Sequence, residues 1–224
     1  MKLLARNYKR IVIKIGSSLF YTAKNLDTLR LFGIVSTISE LIKIEEKEVI
    51  IVSSGAIALG MNSMKLKTRP KELSFLQAAA AIGQNILMDN YSEYFRKYGI
   101  TCAQVLLTRD DFDNRQRYLN AKNTLSTLLK LGVVPVINEN DTISTEEIKF
   151  GDNDRLSALV ATLINADLLI ILSDVDGLLD KNRKIIRIVN EITPQIKGLA
   201  CPTDKKTCVG GMITKIEAAK IAMD

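Results

Sequence analysis

Two short polar clusters, Asn138-Glu-Asn-Asp141 and Gly151-Asp-Asn-Asp154, flank the segment ISTEEIKF, and the second leads straight into an apolar stretch. Asn and Asp side chains compete for backbone hydrogen bonds and so weaken helix and strand interiors. Two such clusters at the ends of apolar elements point to a polar binding surface. Either one alone reads equally well as a turn or a helix N-cap; the pairing asks for more. Lys14 adds a second kind of chemistry. It stands within the apolar run RIVIKI, beside the turn Gly16-Ser-Ser18. An ammonium there needs a counter-charge or a stem that carries it to the strand edge. A lysine beside a Gly-Ser turn is also how a site would hold the oxygens of a transferring phosphoryl group.

Three more turns belong with these. Ser53-Ser-Gly-Ala56 opens a small-residue helix, Ser173-Asp-Val-Asp-Gly177 follows an apolar strand, and Gly210-Gly-Met-Ile-Thr-Lys215 opens the last helix. Each has a bland reading as a cap or turn. Asp174–Gly177 lacks calcium-loop spacing, and Arg109–Arg117 reads as a solvated helix start. Neither a G-x-x-x-x-G-K-[ST] nor a G-x-G-x-x-G pattern occurs. Taken together, two lysines, several small-residue turns and an Asp/Asn cluster suit phosphoryl transfer, which needs positioning and charge stabilisation more than covalent chemistry.

The composition agrees. The 224 residues contain no histidine, which excludes Ser-His-Asp catalysis, histidine general bases and the usual zinc sites. A formal charge of +6 could serve nucleic acid, but the basic residues are scattered, and polyanionic substrates suit the charge better. Nucleic acid is therefore not expected as a partner. Neither is a membrane, since no apolar run reaches ~18 residues and the stretch Ala158–Leu172 is broken by Asn165 and Asp167. Lys14 interrupts the short N-terminal apolar run, which argues against a signal peptide. Cys102, Cys201 and Cys208 form no C-x-x-C pair and suggest reduced thiols, hence a cytoplasmic protein.

The elements that must position these residues alternate. Strands are expected at Arg10–Ile15, Glu48–Val52, Thr101–Leu107, Val133–Ile137 and Leu168–Leu172, with a short one at Ile148–Phe150. Helices are expected at Leu26–Glu45, Leu73–Tyr98, Arg115–Leu131, Ser157–Asn165 and Gly211–Met223. Continuous apolar strands alternating with helices imply one α/β domain, its mostly parallel sheet covered on both faces. Ligands of such sheets sit at the carboxyl ends of the strands. Four of those ends are small or polar here.

The segments IVIKIGSS, VSSGAIALG, QAAAAIGQ, LLTRDDFDNRQRYLNAKNTL, VPVINENDTISTEEIKFGDNDRLSALVA, LLSDVDGL and GGMITK occur in that order. They closely resemble the glutamate 5-kinases of the amino-acid kinase superfamily, from about Arg10 to Asp224. The run INEND…KFGDNDRLSA is the most specific part. The resemblance implies the amino-acid kinase fold, a three-layer α/β/α sandwich. It implies ATP-dependent phosphorylation of the γ-carboxylate of L-glutamate, with Mg²⁺ bridging the ATP phosphates. By matching positions, Lys14 and Lys215 would stabilise the transferring group, and Asp154 would hold both lysines. Ser54, Asp141 and Asn153 would bind glutamate, with Gly55 and Ala56 offering backbone N–H groups. Ser173, Asp174, Gly210, Gly211, Met212 and Thr214, with both lysines, would meet the nucleotide. Thr142–Phe150 would wall the glutamate pocket. No protein ligand of the metal is implied.

The resemblance also implies a homo-oligomer, dimer or tetramer, and feedback inhibition by proline. Two departures stand out: Cys208-Val209 replaces a common Gly-Thr, and Ser173 stands where Thr is common. Residues 1–224 would form a kinase domain lacking its last strand region, with an exposed sheet edge expected and no PUA domain. Rival readings are another kinase of the same fold, acting on a different carboxylate or phosphate, and a non-catalytic sensor of amino acid or nucleotide.

Overall fold

The computed structural model describes residues 8–21, 26–144, 153–200 and 211–223. Among them, one sheet holds β1 (Arg10–Ile15), β2 (Glu48–Ser53), β3 (Cys102–Leu107), β4 (Val134–Glu139) and β5 (Leu168–Leu172). The spatial order is β3-β4-β2-β1-β5, and every pairing is parallel. All five carboxyl ends therefore lie along one edge of the sheet.

The two-residue period of a strand sends alternate side chains to opposite faces. Ile11, Ile13 and Ile15 of β1, Val49 and Ile51 of β2, and Val134 and Val136 of β4 enter one core. Their partners there come from α1 (Thr28–Lys43), α2 (Ala56–Ser63) and α3 (Leu73–Lys97). Val12, Ile50, Val52 and Ile137 enter the other core, packed by α5 (Arg115–Lys130) and α6 (Asn153–Leu163). Here α4 (Asp110–Asp113) precedes α5, α7 (Pro194–Leu199) follows β5, and α8 (Met212–Met223) lies along α6. This is the expected three-layer α/β/α sandwich. The same parity decides the strand ends. Lys14 continues the series of Val12 toward the α6 side, while Ser53 and Asn138 continue those of Ile51 and Val136 toward α3.

Most boundaries shift by a residue or two, and two of the shifts bear on the polar clusters. β4 runs on through Asn138 and Glu139, so half of the first polar cluster is strand rather than turn. The Asn138 side chain is satisfied there by Gln84 and Asn153, which removes the usual penalty. α6 starts at Asn153 rather than Ser157, because Asn and Asp are favourable in a first turn, where N–H groups lack intrahelical acceptors. Ile148–Phe150 lies outside the described residues, as do Gly210, Cys201 and Cys208.

α2 and α3 cross at glycines. A Cβ on Gly60 would fall 1.7 Å from the Ala79 carbonyl oxygen, and one on Gly83 would fall 1.7 Å from that of Ala56. Backbone cannot yield as a flexible side chain can. The close crossing matters because Ala56 begins the helix whose N-terminus faces the sheet's carboxyl edge. Gly83→Ala should destabilise the protein by about 1–3 kcal/mol in urea unfolding. Gly33→Ala is the control: at an exposed position of α1, with nothing within 4 Å of its added carbon, it should stabilise by about 0.5–1 kcal/mol. Equal effects would contradict the crossing.

Candidate active site

Asp154, in the first turn of α6, is fully buried. Its Oδ1 lies 2.6 Å from Lys14 Nζ of β1, and its Oδ2 lies 2.9 Å from Lys215 Nζ of α8. Thr214 Oγ1 lies 3.0 Å from Oδ2. One carboxylate thus gathers two ammonium groups from opposite ends of the sequence. Lys14 is 5 % exposed; it does not snorkel to solvent but is held by a charge. Burial pushes the Asp154 carboxyl upward, yet hydrogen bonds from Lys14 and Lys215 and their charges outweigh it. Its pKa is lowered from the ordinary value. The triad itself holds two cations and one anion, and the partial positive N-terminus of α6 lies beside it.

Beside this triad opens a cavity of about 290 Å³. Asn153 lines it, one residue before Asp154, together with Ser54, Gly55, Ala56 and Asp141. Asn153 Nδ2 donates to the Ser53 carbonyl at 3.0 Å, Ser54 Oγ at 2.9 Å and Asn138 Oδ1 at 3.0 Å. It pins the first turn of α6 to the ends of β2 and β4. On the α3 side, Ser53 Oγ and the buried Tyr91 hydroxyl are 2.9 Å apart. Gly55 turns the chain from β2 into α2 with φ of +109°. That value lies in the left-handed region where glycine alone is at ease. The turn aims the unbonded first N–H groups of α2 at the cavity, a ready anion site.

A second cavity of about 420 Å³ is lined by Asp174, Val175, Leu178, Leu179, Leu199 and Met212. Met212 begins α8, in the same helical turn as Lys215.

The expected residues therefore fall into three groups. Lys14, Asp154 and Lys215 meet directly. Ser54, Gly55, Ala56, Asp141 and Asn153 surround the first cavity. Asp174 and Met212 line the second, with Ser173 beside Asp174 at the end of β5 and Gly211 and Thr214 at the start of α8. Of the expected wall Thr142–Phe150, residues 145–150 lie outside the described residues. Ser17, Arg69 and Glu139 also line the first cavity and were not singled out. Glu139 was within reach of the sequence, inside the first polar cluster. Arg69, before Pro70 in a polar loop, carries no signal in a single sequence.

Breaking the triad has a defined cost. Asp154→Asn leaves two lysines sharing a buried site and should lower stability at neutral pH by about 3 kcal/mol. Because the folded pKa of Asp154 is depressed, its contribution is complete above the unfolded carboxylate value. It disappears as pH falls through the lower folded one. The gap between wild type and variant in urea unfolding should therefore narrow below about pH 4. A gap independent of pH would contradict the pairing.

Comparison with known proteins gives the family. The amino acid kinase family model matches residues 9–224. A glutamate 5-kinase of Thermoanaerobacter sp. (strain X514) is 49% identical over 219 residues, covering 95% of this chain and 59% of its own length. That of Methanosarcina barkeri is 50% identical, with 95% and 59% covered. That of Clostridium acetobutylicum is 47% identical, with 97% and 84% covered. The chain thus spans about three fifths of the first two relatives and most of the third. Among solved structures, carbamate kinase from Giardia lamblia bound to AMP-PNP superposes with a TM-score of 0.63 at 17% identity, covering 96% of this chain and 90% of that one. On the family model and these relatives, the chain belongs to the amino acid kinase family.

Proposed function

We propose that this chain transfers the γ-phosphoryl group of ATP to the γ-carboxylate of L-glutamate, giving L-glutamyl 5-phosphate and ADP, the first step of proline synthesis. The observation that carries this reading is the Lys14–Asp154–Lys215 triad, joined through Asn153 to a polar cavity and through the first turn of α8 to an apolar-walled one. The glutamate 5-kinase relatives support the same activity, and the carbamate kinase of like fold from Giardia lamblia is bound to AMP-PNP.

Glutamate enters the polar cavity. Asp141 takes its α-ammonium, a contact that favours an amino acid over a plain diacid, and Asn153 and Ser54 add hydrogen bonds. The first N–H groups of α2, at Gly55 and Ala56, face substrate or phosphate oxygens. ATP lies with its base against the apolar walls near Val175, Leu179 and Met212, and its phosphates extend past Ser173, Asp174 and the start of α8 to the lysines. A γ-carboxylate oxygen attacks Pγ, the bond from Pγ to the β–γ bridging oxygen breaks, and ADP leaves with that electron pair. The acceptor is already ionised, so no proton moves and no histidine is needed. Lys14 and Lys215 meet the charge that spreads over the phosphoryl oxygens. Asp154 keeps them apart and aimed.

Among the described residues, no cluster of three or more carboxylate or thiol groups forms a metal cage. The donor set suits Mg²⁺ carried by the nucleotide, with phosphate oxygens and water as its ligands. When bound, the ion would neutralise charge on the β- and γ-phosphates.

Incubation with ATP, Mg²⁺ and L-glutamate should consume ATP only when all are present, and hydroxylamine should trap the acyl phosphate as a hydroxamate. A folded protein that gives no glutamate-dependent turnover would sink this function. Lys14→Ala and Lys215→Ala should each lower kcat by about two to three orders of magnitude while the KM for glutamate changes little. Asp141→Ala should do the reverse, raising that KM with a modest effect on kcat. A lysine variant that altered affinity alone would contradict its role.

A further inference from the structure

A chain of side-chain amides runs from the middle of α3 to the candidate amino-acid pocket, and obligate groups fix the orientation of every member. The Ser53 carbonyl can only accept, so the Asn153 group 3.0 Å from it must be the NH₂. That same NH₂ lies 3.0 Å from Asn138. Asn138 must therefore offer its oxygen, and the backbone N–H of Glu139, an obligate donor 2.9 Å away, demands the same oxygen. Asn138 Nδ2 then faces Gln84 and donates to Oε1 at 2.9 Å. Amide orientation is decided by such networks. This one has a single consistent solution. Gln84 and Asn138 are 7 % and 3 % exposed, so water does not compete for these groups. Gln84 also borders a small cavity with Glu139, Asn140, Asp141 and Thr142, underneath the loop that carries Asp141.

We propose that Gln84 is a positioning residue, which steadies the buried Asn138 side chain and through it the place of the Asn153 amide at the amino-acid pocket. With the two hydrogens of its NH₂ shared among three protein acceptors, Asn153 has its carbonyl oxygen to present to the cavity it lines. A carbonyl oxygen there selects a donor, the substrate ammonium, and refuses a ligand that offers only acceptors. Remove the Gln84 acceptor, and a buried Asn138 NH₂ loses its partner. Asn138 is then held through its oxygen alone, by the Glu139 N–H and the Asn153 NH₂, and can tilt about that end, loosening its hold on Asn153. Gln84 touches neither substrate nor phosphate in this arrangement; it acts at one remove. The substrate-specific part of the inference rests on the glutamate reading above.

The test compares Gln84→Met, similar in length but without hydrogen-bonding groups, with Gln84→Glu, which keeps an acceptor for Asn138. Gln84→Met should raise the KM for glutamate roughly tenfold, the effect of losing one hydrogen bond to a charged group. The KM for ATP and kcat should stay within about threefold, and Gln84→Glu should recover most of the glutamate affinity. Independently of any substrate, the side-chain amide protons of Asn138 should exchange slowly with solvent in the wild type and at least about tenfold faster in Gln84→Met. The inference is overturned if the glutamate KM stays within twofold of wild type. It is equally overturned if both KM values rise while kcat and Tm fall, with no recovery in Gln84→Glu, the pattern of a merely structural residue. Failure of the wild type itself to turn over glutamate would count against the proposed activity instead. The exchange measurement then still decides whether Gln84 sets this network, with unchanged exchange refuting it.

Discussion

A fully buried carboxylate between two ammonium groups is the interaction on which the rest of this molecule depends. Burying Asp154 alone would be costly, and burying Lys14 within an apolar strand would be costlier still. Each ion makes the other tolerable, and the second lysine tips the balance toward cation. The three come from β1, α6 and α8, so the ion cluster joins the sheet to two helices of one layer. A site with excess positive charge at low dielectric attracts an anion whose charge exceeds that of one carboxylate. A phosphoryl group passing between ATP and a carboxylate is such an anion.

The parallel sheet supplies the rest by arithmetic. Because the described strands run one way, every strand end with polar residues opens on the same edge. Because side chains alternate, adjacent strand ends serve different layers. Lys14 is directed to α6 and Asp154, while Ser53 and Asn138 are directed to α3 and its hydroxyl and amide partners. The polar network around Asn153 connects the two layers across the sheet end. It also connects the substrate cavity to the triad through adjacent residues, Asn153 and Asp154.

Much of this was legible in the sequence. The strands of β1, β2 and β5 are continuous apolar runs, and no other element accommodates IVIKI or LLIIL so well. The missing histidine by itself narrowed the chemistry to groups that lysine, aspartate and backbone amides can serve. The paired clusters marked the site because Asn and Asp at element ends must answer to something. Less legible were the partners. Nothing in a single sequence says that Gln84, in an alanine-rich helix, faces Asn138 fifty-four residues later, since that contact exists only once α3 lies on the sheet. Arg69 was silent because a surface loop carries no periodicity. The helix at Pro194–Leu199 was missed although its signal is present: Thr193 caps it and Pro194 occupies its first turn.

The claim at the centre of this account is that Lys14 and Lys215, held by Asp154, are the point where acceptor and nucleotide meet. A structure of the protein with L-glutamate and a non-hydrolysable ATP analogue measures it directly. The account expects the γ-phosphoryl oxygens within about 3 Å of both lysine nitrogens and the glutamate γ-carboxylate in line beyond them, its ammonium at Asp141. A terminal phosphate bound away from the two lysines, or glutamate outside the Asn153 cavity, would contradict it.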